Sequence, residues 1–161
     1  MTDEHGTDCD LCRRSVKHEH PLNQNAHAGQ APAEDPIFGP IISSYSRAQA
    51  IDDGFLVDVS QTAREAGIKW PTALTRAVYD RYVAIPDAVV GQDVRGRLWD
   101  IVMMYRFAVG RSRTAGDTLL FKLHVRNSNR GGTPPLVTLK AIAGPGDTAE
   151  PVITIMMPQE D

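Results

Sequence analysis

Leu119-Leu120-Phe121-Lys122-Leu123-His124-Val125-Arg126 decides the fold. Leu119, Phe121, Leu123 and Val125 alternate with Leu120, Lys122, His124 and Arg126, and a period of two marks a half-buried strand. Downstream, Asn127-Ser128-Asn129-Arg130-Gly131-Gly132 reads as a loop, and Val137, Leu139 and Ala141 alternate with Thr138 and Lys140 in a second strand. Gly144-Pro145-Gly146-Asp147 turns the chain into a third strand, Val152 to Met157, bounded by Pro151 and Pro158. Three consecutive strands with short links favour an antiparallel meander.

Upstream of this meander the periodicity is helical. Ser46 is placed to N-cap a helix from Arg47 to about Asp53, with Gly54 as its left-handed terminator. Phe55-Leu56-Val57-Asp58-Val59 reads as a short buried strand in which Asp58 is out of place. Thr62-x-x-Glu65 has the form of a capping box, and Gly67 ends the short helix it would open. From Pro71 and Thr72, the spacing of Ala73, Leu74, Ala77, Val78 and Tyr82 predicts a helix that Pro86 stops. The longest helix carries a stripe of Leu98, Ile101, Val102, Tyr105, Ala108 and Val109, with Asp100 and Arg106 off the stripe and Gly110 as terminator. The expected fold is α+β: N-terminal helices packed on one face of a mainly antiparallel three- to four-stranded sheet, preceded by a disordered tail.

Residues 1–35 form that tail and residues 36–161 a single domain. The leader is poor in aliphatic residues, so it cannot bury enough surface to offset its ordering entropy. It holds both cysteines and four of the five histidines. Cys9-x-x-Cys12 has zinc-knuckle spacing, and His18 and His20 complete a Cys2His2 set. Their spacing departs from the zinc-finger norm, and a His-rich segment that holds no metal is the competing reading. No window reaches the roughly 18 apolar residues that span a bilayer, and no secretory apolar region precedes the domain. The expected location is therefore cytoplasmic, where the cysteines stay reduced.

Charge is unevenly distributed under a net value of −3. Residues 95–140 carry nine bases and two acids, while residues 141–161 carry four acids and no base. Lys122, His124 and Arg126 share one strand face, and Lys140 joins them from the next strand, giving a candidate surface for phosphate contacts. The competing reading is the solvated face of an antiparallel sheet. That face lacks the aromatic platforms on which single-stranded bases stack. A second candidate is Asp58 with Arg47 or Arg64, either as a structural ion pair or as a cleft recognising a phosphate or nucleotide, with Tyr45 nearby.

Several motifs taken together carry a resemblance: Ile41-Ile42-Ser43-Ser44-Tyr45-Ser46-Arg47-Ala48, Gly96-Arg97-Leu98-Trp99-Asp100, Gly144-Pro145-Gly146-Asp147 and Pro151-Val152-Ile153-Thr154-Ile155. From about residue 41 onward the chain resembles a family of small proteins encoded on bacterial plasmids, integrative elements and phages. The resemblance implies a mobile-element accessory protein acting on replication, transfer or host defences. It implies no reaction, and the Cys/His leader lies outside it.

The phosphate-loop, dinucleotide, nucleophile-elbow and His-Glu-x-x-His motifs are missing from the sequence. His124 is the one histidine of residues 36–161, and cysteine is absent there, which weighs against hydrolase or transferase chemistry. The leading expectation is a non-catalytic protein that binds a macromolecule, with a host protein favoured as partner. Nucleic acid on the Lys122, Arg126 and Lys140 face, and a small enzyme built on Asp58, Arg47 and Arg64, are the alternatives.

Overall fold

The computed structural model describes residues 45–113 and 116–161, with the backbone of two short strands before them. The chain divides into two units, Met1–Ile42 and Ser43–Asp161. In the first, β1 (Glu34–Asp35) pairs antiparallel with β2 (Gly39–Pro40).

The second unit is built on a five-stranded mixed sheet. Its order is β3 (Leu56–Asp58), β4 (Thr72–Thr75), β7 (Pro151–Met156), β6 (Leu136–Pro145) and β5 (Thr118–His124). The meander β5–β6–β7 is antiparallel, as the alternation predicts, with Phe121 opposite Leu139 and Ala141 opposite Ile155. The departure is β4, which runs parallel to β7 and antiparallel to β3. Residues 72–75 are therefore a strand near the sheet centre, not the first turn of a helix. Thr72, Ala73 and Leu74 are all fully buried. A strand covered on both faces loses its polar alternation and reads as a continuous apolar run.

The predicted helix survives only beyond Thr75, whose hydroxyl accepts from the Val78 amide. One turn of α-helix, α3 (Arg76–Val78), widens into a π-helical turn, Tyr79–Val83, closed by the Ala84 amide on the Tyr79 carbonyl at 2.8 Å.

The remaining helices correct the expectation in smaller ways. α1 (Arg47–Asp52) has the predicted Ser46 cap, completed into a capping box by Gln49. Asp147 adds a second cap from across the chain, its carboxylate accepting the Arg47 amide at 2.7 Å and the Ala48 amide at 2.9 Å. Replacing Asp147 with alanine should cost about 1–2 kcal/mol, the range of a lost N-cap, and asparagine should recover part of it. An unchanged urea midpoint in Asp147→Ala would remove the capping assignment.

α2 (Ser60–Glu65) starts earlier than the Thr62 capping box required. Asp58 opens it instead, accepting from the Ser60 amide at 2.9 Å and hydroxyl at 2.5 Å. Asp58 is exposed, so the strand that carries it is a sheet edge, not a buried element. α4 (Val94–Arg111) is capped by Asp93 and runs through Gly110 to Arg111.

The core lies between α4 and one sheet face. Ile101 and Tyr105 of α4 pack with Leu74, Phe121, Leu139 and Ile155. Tyr105 and Phe121 meet ring to ring at 5.8 Å. Helices are not confined to this face, because α1 packs by β3 and anchors on the other one. There the Arg47 guanidinium donates to Thr154 Oγ1 at 2.8 Å and to the Ile153 carbonyl at 3.0 Å. Among the described residues, no helix is long and apolar enough to cross a membrane.

Candidate functional site: an aromatic groove across the end of α4

Cys9, Cys12, His18 and His20 lie outside the described residues. Among the described residues, no group of three or more His, Cys, Asp or Glu side chains could hold a metal ion.

The basic residues of the sheet face have separate employments. Lys140 is largely covered: its ammonium donates to the Glu160 carbonyl and lies 3.8 Å from Asp161, with 12% of the side chain exposed. Arg126 closes the loop after β5 by donating to the carbonyls of Arg130 at 2.6 Å and Gly132 at 2.9 Å. His124 Nδ1 lies 2.6 Å from the Pro134 carbonyl oxygen, which only accepts, so that nitrogen carries a proton. Lys122 and His124 are exposed, beside the exposed Leu120 and Leu136.

Arg47 and Asp58 line one shallow depression of about 210 Å³ with Ser60, Asp147 and Glu150 but form no ion pair with each other. Arg64 is exposed on α2 and does not line it. Desolvation lowers the Arg47 pKa, against the opposing pull of Asp58, Asp147 and Glu150. Its guanidinium is occupied by Thr154 and Ile153. Ser60 Oγ accepts from the Thr72 amide at 3.0 Å while donating to Asp58. Tyr45 donates to Asp53 at 2.8 Å, and desolvation together with that bond raises its pKa, so the phenol stays protonated. These groups satisfy one another and brace α1, α2 and the sheet.

A different surface has unfilled capacity. Between the C-terminal half of α4 and the connector Gly67-Ile68-Lys69-Trp70 lies a groove of about 470 Å³. Its walls are apolar: Ile68, Trp70, Tyr105, Val109 and Ile153. Trp70 is 45% exposed although it borders the core. Beyond Trp70 a smaller cavity of about 270 Å³ continues over Leu119, Ala141 and Ala143. In the other direction the groove meets a cavity of about 490 Å³ formed by Arg106, Phe107, Gly110 and Arg111. Arg106 and Gly110 line both and form the saddle between them.

Local chemistry explains how the groove forms. Gly67 ends α2 at φ +85°, a conformation that favours glycine. The Arg106 guanidinium lies beside it, within van der Waals reach of where a Cβ would stand, with Nε at 3.4 Å. The Ile68 amide then bonds to the Ala63 carbonyl at 2.8 Å, and the Pro71 carbonyl accepts from Ile153. Those two anchors fix Lys69 and Trp70 between them. Burial raises the Tyr105 pKa, so its ring is a neutral wall. Lys69 and Arg106 stand on the rim, and no acidic side chain of the described residues lines the groove or the Phe107 cavity.

None of these groove residues stands out in the sequence as a site. The available signals were Arg106 off the apolar stripe of α4, a tryptophan directly before Pro71, and a glycine inside a helix. Such an apolar recess with a few charged groups at its edge has the general form of a binding site. It offers no nucleophile–base pair and no convergent acids.

A mixed five-stranded sheet braced by helices on both faces, with an open aromatic groove beside α4, defines an α+β domain. The chain belongs to the family of unknown function DUF6573, whose family model matches residues 38–161. No curated protein and no solved structure matches it.

Proposed function

We propose that this domain is a non-catalytic binding module that holds a segment of a partner protein, in the groove beside Trp70. The observation that carries the reading is a half-exposed tryptophan set in an apolar recess, with arginine and lysine on the rim. Tryptophan and arginine dominate the binding energy of protein interfaces, and both need a partner that excludes water. A host protein is the partner we favour, and the resemblance to plasmid- and phage-encoded proteins is the ground for reading the role as an accessory function of a mobile element. The nucleic-acid reading is weaker because Lys140 and Arg126 are occupied within the chain. The enzyme reading is weaker because the Arg47–Asp58 depression is small and its polar atoms already have partners.

The test is capture from host lysate, with and without nuclease treatment, on immobilised full-length chain, run beside Trp70→Ala and Lys122→Glu. The reading expects a protein whose retention falls by about thirtyfold, a loss of about 2 kcal/mol, in Trp70→Ala and is unchanged in Lys122→Glu. Equal retention on Trp70→Ala would remove the groove from the account. Retention abolished by nuclease would shift the reading to nucleic acid.

A further inference from the structure

Gly110 has no structural reason to be glycine. It lies within α4, where glycine is among the least favourable residues, its φ is not positive, and nothing stands within 4 Å of where its Cβ would be. It sits at the saddle where the Trp70 groove meets the cavity of Phe107 and Arg111. A bulky side chain there would stand between the two cavities that Gly110 lines. An exposed aromatic stands on each side of the saddle, Trp70 and Phe107, the latter 57% exposed.

The charged side chains lining the two cavities on either side of Gly110 have one sign, while Asp117 lines the cavity beyond Trp70. Lys69, Arg106 and Arg111 line the two cavities, and none of them makes an ion pair with a described residue. Arg111 in the last turn complements the helix dipole, but Arg106 lies a turn earlier and reaches back over Gly67. Close spacing of unpaired cations is unfavourable by itself and becomes favourable when an anion joins them.

We infer that the occupant is an acidic, extended protein segment that crosses α4 over Gly110, placing a carboxylate on Arg106 and an apolar side chain on each flank, against Trp70 and Phe107. The inference rests on the binding reading above and specifies its ligand. A carboxylate matches the planar guanidinium fork of arginine. The recess walls Ile68, Val109 and Ile153 have no polar side-chain group to read a base edge, and each cavity has a single exposed aromatic, so a nucleic-acid strand fits less well.

The experiment is fluorescence anisotropy on the full-length chain with labelled probes. These are a peptide of Phe-Leu flanked by aspartates, the same peptide with lysines for aspartates, the same with Ala-Ala for Phe-Leu, and an oligothymidylate of similar length. The acidic Phe-Leu peptide should bind at least about tenfold tighter than each of the other three and weaken as salt rises. Gly110→Leu should lose about tenfold or more in affinity while its thermal midpoint stays at or above that of the parent, because leucine is the better helix former. Arg106→Glu should weaken the acidic peptide and narrow its advantage over the lysine peptide. The inference is overturned by equal binding of the lysine peptide, by tighter binding of oligothymidylate, by unchanged binding in Gly110→Leu, or by no peptide binding. If lysate capture still depends on Trp70 in any of those cases, the binding reading stands and only the acidic occupant is lost.

Discussion

Arg97→Met should destabilise the domain by about 2–4 kcal/mol, more than the loss of any surface ion pair. Arg97 lies on the buried side of α4 with 6% of its surface exposed, and burial lowers its pKa. No carboxylate of the described residues pairs with it. Its donors serve three acceptors instead: the Tyr82 carbonyl at 3.0 Å, the Arg126 carbonyl at 2.8 Å and Asn127 Oδ1 at 2.5 Å. Asn127 in turn donates to the Arg81 carbonyl at 3.0 Å. One guanidinium thus joins α4, the π-helical turn and the end of β5.

Two effects compete on substitution. Methionine removes the desolvation cost of a buried cation, which in some proteins makes such replacements neutral. Here the acceptors remain behind, and the Tyr82 carbonyl lies where water cannot replace the lost donor. Hydrogen bonds to a charged group contribute roughly 1.5–3 kcal/mol each, so three of them outweigh the relief. Arg97→Lys should recover little, since an ammonium cannot reach three acceptors spread around a planar fork. Urea denaturation measures both, and a midpoint unchanged in Arg97→Met would contradict the assignment.

Ala73→Pro should be at least as damaging, at about 3 kcal/mol or more. Ala73 stands opposite Asp58 at the end of the β3 ladder and opposite Thr154 in the middle of the β7 ladder. Proline there removes a ladder donor from an interior strand, a place proline does not occupy. The contrast with the sequence reading is sharp. Had residues 72–75 formed the first turn of a helix, proline at that point would be well tolerated. Far-ultraviolet circular dichroism and a urea curve on Ala73→Pro separate the two. A folded, near-parental variant would overturn the placement of β4.

These two residues also mark what was legible in the sequence. β5 and β6 could be read because one face of each meets the core and the other meets solvent or polar cover, leaving a period of two, whereas β7, buried on both faces, was marked by the turn before it and the prolines that bound it. α4 could be read from its apolar stripe. β4 could not, because burial on both faces erases the pattern that distinguishes a strand from a helix. Arg97 was hidden within the family-like Gly96-Arg97-Leu98-Trp99-Asp100, since a charged residue one place from the stripe looks like surface. Asp58 looks like a core anomaly in the sequence, but its strand is an edge and its carboxylate accepts from the first amide of α2. The basic run of residues 95–140 was plain, yet its distribution was not. The sheet places Lys140 under the acidic C-terminus, and α4 turns Arg106 toward the groove and Arg111 toward the Phe107 cavity. That groove joins a connector at residues 67–70 to a helix end some forty residues later, which no local pattern could reveal.

Hydrogen exchange on the captured complex addresses the binding site most directly. The chain is compared alone and with the protein it retains from lysate. Protection should appear at residues 67–70 and 105–111, with β5 unchanged. Protection confined to residues 119–126, with the Trp70 connector exchanging as it does in the free chain, would contradict the account.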